Sequence, residues 1–158
     1  MANWSVEVEG LTRTFGDFVA VDQISFRVRA GQIFGFLGPN GAGKSTTIRI
    51  LTGILPPTSG TGRVAGFDIR TQRQQIKQAI GYMSQKFSLY EDLTVHENLS
   101  FFAGVYGATD LDWAVRVCRL SEVLDTICSS LSTGLRQRAA LACAVVHRPR
   151  IVFLDEPT

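Results

Sequence analysis

Ile33-Phe34-Gly35-Phe36-Leu37-Gly38-Pro39-Asn40-Gly41-Ala42-Gly43-Lys44-Ser45-Thr46 decides how this chain is read. The first five residues are a continuous apolar run, which predicts a strand buried on both faces. Gly38 to Ser45 then match the pattern G-x-x-x-x-G-K-[ST]. A triphosphate is densely charged and must be held without bulky side chains in the way. Glycines let successive backbone N–H groups turn inward as an anion nest. A helix that begins there adds its N-terminal dipole. Lys44 supplies a full charge to the outer phosphates, and Ser45 offers a hydroxyl to Mg²⁺. Apolar residues at Ile48, Leu51 and Leu55 predict that helix over Ser45–Leu55, stopped by Pro56-Pro57. Strand, glycine loop and helix in this order are the context the motif requires.

Outward from the loop, the elements alternate. Val6–Glu9 and Val19–Val28 read as strands ahead of a turn at Ala30-Gly31-Gln32. Gly60-Thr61-Gly62 turns into a strand near Arg63–Ala65, and the polar stretch Thr71–Ala79 reads as an exposed helix. Ile80–Met83 is a further strand. Helical spacing follows over Val95–Tyr106, Leu111–Cys118 and Ser121–Cys128, then over Leu135–Val146. Thr94 caps the first of these, with Glu97 completing a capping box. Pro149-Arg150 breaks the last, and Ile151-Val152-Phe153-Leu154 predicts a second buried parallel strand. It ends in Asp155-Glu156. Ligands of open α/β sheets sit beyond the carboxyl ends of the strands, so these acids are well placed to serve the phosphate loop. Asp155 would hold Mg²⁺, and Glu156 would orient and polarise the attacking water. Alone, the pair reads equally well as two solvated acids in a turn.

Composition narrows the classes. The chain has 158 residues, with 45% hydrophobic and 19% charged, which describes a folded domain rather than a disordered chain. A formal net charge of +2 gives no reason to expect nucleic acid. The three cysteines, Cys118, Cys128 and Cys143, form no CxxC pair and read as reduced core residues. The N-terminus has no apolar signal region, and no run is long enough to span a bilayer. His96 reads as a surface residue, and His147 as a complement to a helix C-terminus.

With Leu131-Ser132-Thr133-Gly134-Leu135-Arg136-Gln137-Arg138 shortly before the Asp155-Glu156 strand end, the phosphate loop and the acidic pair make the chain resemble the ATP-binding cassette (ABC) ATPases of membrane transporters. The resemblance runs from Leu11 to Thr158. It implies an α/β P-loop NTPase fold with a parallel-sheet core, an N-terminal antiparallel β subdomain and an α-helical insert. The parts would be residues 1–84 with the P-loop, 85–134 with the helical insert, and 135–158 with the signature helix and acidic strand. ATP and Mg²⁺ would be bound by Gly38, Pro39, Asn40, Gly41, Ala42, Gly43, Lys44, Ser45 and Thr46. Phe15 matches the family's adenine-stacking aromatic, although alone it reads first as a core phenylalanine. Gln85 matches the glutamine that reaches Mg²⁺ and the attacking water and couples the site to a transmembrane permease.

Leu131, Ser132, Thr133, Gly134 and Leu135 match the signature loop that completes the ATP site of a second nucleotide-binding domain, in a homo- or heterodimer. Ser132 and the Gly134 backbone would donate to the partner's γ-phosphate. Thr133 and Leu135 depart from the commonest glycine and glutamine. Ser132 also reads as an ordinary helix N-cap, and both roles can hold together.

The stretch from Gly81 to Gly107 is most similar to ABC-2-type multidrug and antibiotic exporters. The resemblance thus implies a peripheral ATPase on the cytoplasmic face of the cell membrane, attached through its partner. Family members continue past Thr158 with a partner-contacting loop and a γ-phosphate-sensing histidine. The expectation is therefore a C-terminally truncated domain that binds nucleotide more readily than it hydrolyses it. Two other readings stay open: a non-catalytic nucleotide-binding fragment, and a soluble ABC ATPase acting on nucleic acid or ribosomes. The short helical insert and the absence of a basic run count against the last.

Overall fold

The computed structural model describes residues 3–39, 41–84, 86 and 89–155. The chain divides into two compact units, residues 1–80 and 81–158.

The N-terminal unit is built on an antiparallel sheet of β1 (Trp4–Phe15), β2 (Phe18–Arg29), β3 (Ser59–Val64) and β4 (Phe67–Asp68), in the order β2-β1-β3-β4. Alternation sets its faces: Val6 and Val8 are buried, while the intervening Glu7 pairs with exposed Arg27 on β2 at 3.8 Å. The ladder slips between Val8 and Leu11, which returns Leu11 to the core. Helix α1 (Lys44–Leu51) buries Ile48, Ile50 and Leu51 and packs against β2. A short helix α2 (Arg73–Ala79) closes the unit, anchored by Ile76. In the loop before it, the amides of Thr71 and Arg70 hold the Asp68 carboxyl below the usual carboxylate range.

Helix α1 stops earlier than its apolar spacing predicts. Gly53 adopts φ +78°, its amide reaches Ile50 O, and the amides of Ile54 and Leu55 both reach Arg49 O. This left-handed glycine cap ends the helix before Pro56 can. The apolar run before the P-loop also departs from expectation: Ile33–Leu37 is not a strand buried on both faces. Phe34 and Phe36 pack on Phe26 of β2 with ring centroids 5.3 and 5.1 Å away, Phe36 half-buried and Phe34 still exposed. Ile33 is 100% exposed and Leu37 is 96% exposed. A strand needs ladder partners as well as apolar side chains, and no strand pairs with this run among the described residues.

The C-terminal unit holds β5 (Ile80–Met83), α3 (Val95–Tyr106), α4 (Asp112–Val117), α5 (Thr133–Val145) and β6 (Ile151–Leu154). Strands β5 and β6 are neighbours, and the Asp155 amide just past β6 donates to Met83 O at the end of β5. Their carboxyl ends therefore lie together, so the pair is parallel. Val152 and Leu154 are exposed while Ile151 and Phe153 are half-buried, so β6 is not buried on both faces. The helices close over Leu99, Ala103, Val115, Leu120, Ala142 and Val146. The three cysteines share this core, and burial pushes the Cys143 thiol up to about 12.

Helix α3 starts at the predicted box: Thr94 Oγ1 accepts from the Glu97 amide at 3.1 Å, and Glu97 accepts from the Thr94 amide at 2.7 Å. The helix expected over Ser121–Cys128 does not form. Its carbonyls are used elsewhere: Thr126 O accepts from the Val95 amide and Leu124 O from the His96 amide. These are orphan donors of the first turn of α3, and satisfying them holds 124–126 in turns. Cys128 also donates its amide to Leu93 O.

Candidate nucleotide-binding site

In the N-terminal unit the P-loop forms a tight turn, with the Ala42 amide donating to Pro39 O at 3.2 Å. Gly43 is the N-cap of α1 at φ 83° and ψ 12°, a left-handed conformation. A β-carbon there would lie 2.2 Å from Ala20 O of β2. The loop thus passes the strand at a distance only glycine allows. Thr47 locks the first turn from behind: its amide and hydroxyl both donate to Gly43 O, at 2.9 and 2.8 Å. Lys44 Nζ donates to Gly38 O at 2.5 Å, which holds the ammonium against the loop's own backbone. No acidic residue occupies the first turn of α1, so nothing there offsets the positive helix end. Ser45 and Thr46 are half-buried in the same turn.

Phe15 sits at the tip of the β1–β2 hairpin, opposite Phe18, and is 46% exposed. It is therefore not a core phenylalanine. The strand that carries this tip onward is the one that meets Gly43 at Ala20, so ring and phosphate loop share one end of the unit.

In the C-terminal unit, Asp155 is buried, 5% exposed, at the carboxyl end of the parallel pair. Ser84 follows the adjacent strand end, and its hydroxyl donates to Lys86 O. Asn40, Gln85 and Glu156 lie outside the described residues. Among the described residues, no group of three or more His, Cys, Asp or Glu side chains is arranged to hold a metal. Hydroxyl and carboxylate oxygens, the kinds of donor that Ser45 and Asp155 each carry, are of the type Mg²⁺ takes, and Mg²⁺ keeps few protein ligands.

The signature segment opens α5. Ser132 is its N-cap and accepts from the Leu135 amide at 3.4 Å. Leu131 is buried in the helical core, Leu135 packs at its edge, and Ser132, Thr133 and Gly134 are exposed. Arg136 braces the approach, donating to Cys128 O at 3.2 Å and Ser129 O at 2.9 Å. His96 is exposed, whereas His147 stacks on Tyr106 with centroids 3.8 Å apart instead of simply ending its helix.

Asn98 was invisible as a key residue in the sequence. It is fully buried, its Oδ1 accepting from the Tyr90 amide and its Nδ2 donating to Tyr90 O and Thr94 O, with Cys128 Sγ 3.3 Å from the same nitrogen. A polar residue between the apolar positions Val95 and Leu99 was the available signal.

The sequence profile of the ABC transporter family matches residues 21–158. The chain belongs to the ABC transporter family. It is similar to the probable multidrug ABC transporter ATP-binding protein YbhF of Escherichia coli K12, with 50% identity over 97% of this chain and 28% of that protein. It is also similar to the linearmycin resistance ATP-binding protein LnrL of Bacillus subtilis 168, with 37% identity over 97% of this chain and 51% of that protein. The chain thus spans from 28% to 51% of the length of these two curated relatives. Among solved structures, cbiO1 from Clostridium perfringens, part of the ABC transporter complex cbiONQ, superposes with a TM-score of 0.87 at 28% identity, covering 99% of this chain and 66% of that one. The fold is the α/β P-loop fold of ABC ATPase domains. Among the described residues, no helix is long and apolar enough to cross a membrane.

Proposed function

We propose that this chain is the ATP-binding part of an ABC exporter, binding MgATP and hydrolysing it to drive a separate transmembrane permease. The observation that carries this reading is the glycine cradle at Gly43, where loop and strand approach so closely that a β-carbon would meet Ala20 O at 2.2 Å. Such a loop, opening a helix free of acidic residues in its first turn, fits a polyphosphate. The backbone amides between Gly38 and Thr46, Pro39 excepted, hold the phosphates, Lys44 pairs with the outer ones, and Phe15 stacks on adenine. Ser45, Asp155 and Gln85 would hold Mg²⁺, which would supply charge neutralisation to the phosphates. Glu156 would orient water for attack on the γ-phosphorus, and Gln85 would reach the same water. Leu131 to Leu135 complete the ATP site of a second nucleotide-binding domain. The multidrug and antibiotic-resistance names of the relatives support export as the direction. The site then works at the inner membrane face, held there by the permease.

A calorimetric titration of MgATP into this chain and into Lys44→Ala tests the proposal. Saturable binding that the substitution removes is the expected result. Equal binding by the two proteins would refute the phosphate site.

A further inference from the structure

We infer that Arg13 is a positioning residue for the nucleobase, its guanidinium backing one face of Phe15 so that the other face is presented to adenine. This rests on Phe15 being the base-stacking ring. The Arg13 guanidinium carbon lies 4.6 Å from the Phe15 ring centroid. Arg13 Nη1 donates to Pro56 O at 2.9 Å. Its Nε is buried and has no hydrogen-bond partner among the described residues. A guanidinium that leaves one buried N–H unbonded is not placed there to maximise hydrogen bonds. The ring and the Pro56 carbonyl are what hold it.

The carbonyl is itself well anchored. The Thr58 amide donates to Thr12 O at 2.8 Å, and the Thr14 amide donates to Thr58 Oγ1 at 3.0 Å. Residues 56–58 follow the phosphate-loop helix, so Arg13 ties the aromatic tip to the far end of that helix. A cation on one face draws the π-electron density of the ring toward itself. The opposite face then becomes electron-poor and stacks better on an electron-rich purine. The clamp also restricts the ring, which lowers the ordering cost when a base arrives. The ligand class is an adenine nucleotide, recognised at its base rather than its phosphates.

The test compares MgATP with magnesium tripolyphosphate, which has the phosphates and no base, by calorimetry on the full chain. Arg13→Gln is expected to weaken MgATP binding about two- to fivefold and leave tripolyphosphate binding unchanged. Phe15→Ala is expected to weaken MgATP selectively and to abolish any further effect of Arg13→Gln in the double variant. Arg13→Met, which keeps the apolar stem, replaces Arg13→Gln if that protein does not fold. Equal weakening of both ligands would assign Arg13 a structural or long-range charge role and overturn the inference. So would an Arg13 effect that persists without the ring. If Phe15→Ala weakens MgATP and Arg13→Gln does not, the inference alone fails. If Phe15→Ala changes nothing, the base-stacking reading fails with it.

Discussion

Replacing Gly43 by alanine should damage the phosphate loop more than the same change at Gly41. Both residues are left-handed, at φ 83° and 86°. A β-carbon costs about 1 to 2 kcal/mol in that conformation. At Gly41 nothing lies within 4 Å of the added atom, so that cost stands alone. At Gly43 the atom would also sit 2.2 Å from Ala20 O and 3.3 Å from Val21 Cγ2. Ala20 O belongs to a sheet strand and cannot swing aside, so loop or strand must shift, at about 1 to 3 kcal/mol more. The sum at Gly43 is about 2 to 5 kcal/mol. In the proposed function the loop is also the binding site, so a loop that moves to relieve strain misaligns its amides. If only the lower figure appears in binding, MgATP affinity falls about 30-fold. Calorimetry on the parent and both variants, with thermal melts alongside, measures this. Gly43→Ala binding within about threefold of the parent, with unchanged melting, would refute the steric argument. Equal losses at the two positions would leave only the backbone conformation as the cause.

Other outcomes follow from the C-terminal unit. Asn98→Leu removes an amide that satisfies Tyr90 on both its N–H and its C=O, and should cost about 2 to 4 kcal/mol in urea unfolding; a loss below about 1 kcal/mol would mean the loop finds other partners. Burial pushes the Cys143 thiol from 9.0 to about 12, and Cys118 and Cys128 upward as well. Above the ordinary thiol value the unfolded chain ionises these groups while the folded chain keeps them neutral. The stability they protect is therefore complete below that value and falls as pH rises toward the folded one, by about 1.4 kcal/mol per pH unit for each such thiol. Urea unfolding of Cys143→Ala at pH 8 and pH 10 should show a shallower decline than the parent; an identical slope would remove this thiol from the account.

What was legible in the sequence was what depends on close neighbours along the chain. The P-loop is set by glycines at fixed offsets and by the helix that follows them. The Thr94–Glu97 box needs only four consecutive residues, and α3 begins and ends where its spacing indicates. Alternation in β1 and β2 identifies the strands because each residue's face follows from its parity. These features specify a phosphate-binding α/β protein, because backbone conformation and helix starts are decided within a few residues.

Tertiary structure decided whatever needs a partner from far along the chain. Ser121–Cys128 carries helical spacing, yet its carbonyls serve α3, which begins 26 residues before it. The partners of Asn98 include Cys128, and Arg13 owes its place to a carbonyl 43 residues away. Ile33–Leu37 shows the same limit from the other side. An apolar run expresses a capacity for burial, but the ladder and the covering layer come from other segments. Side-chain pattern by itself determined which surfaces can be buried and where the glycine-rich turn opens a helix; only the assembled backbone decided which donors and acceptors were left for each segment to satisfy.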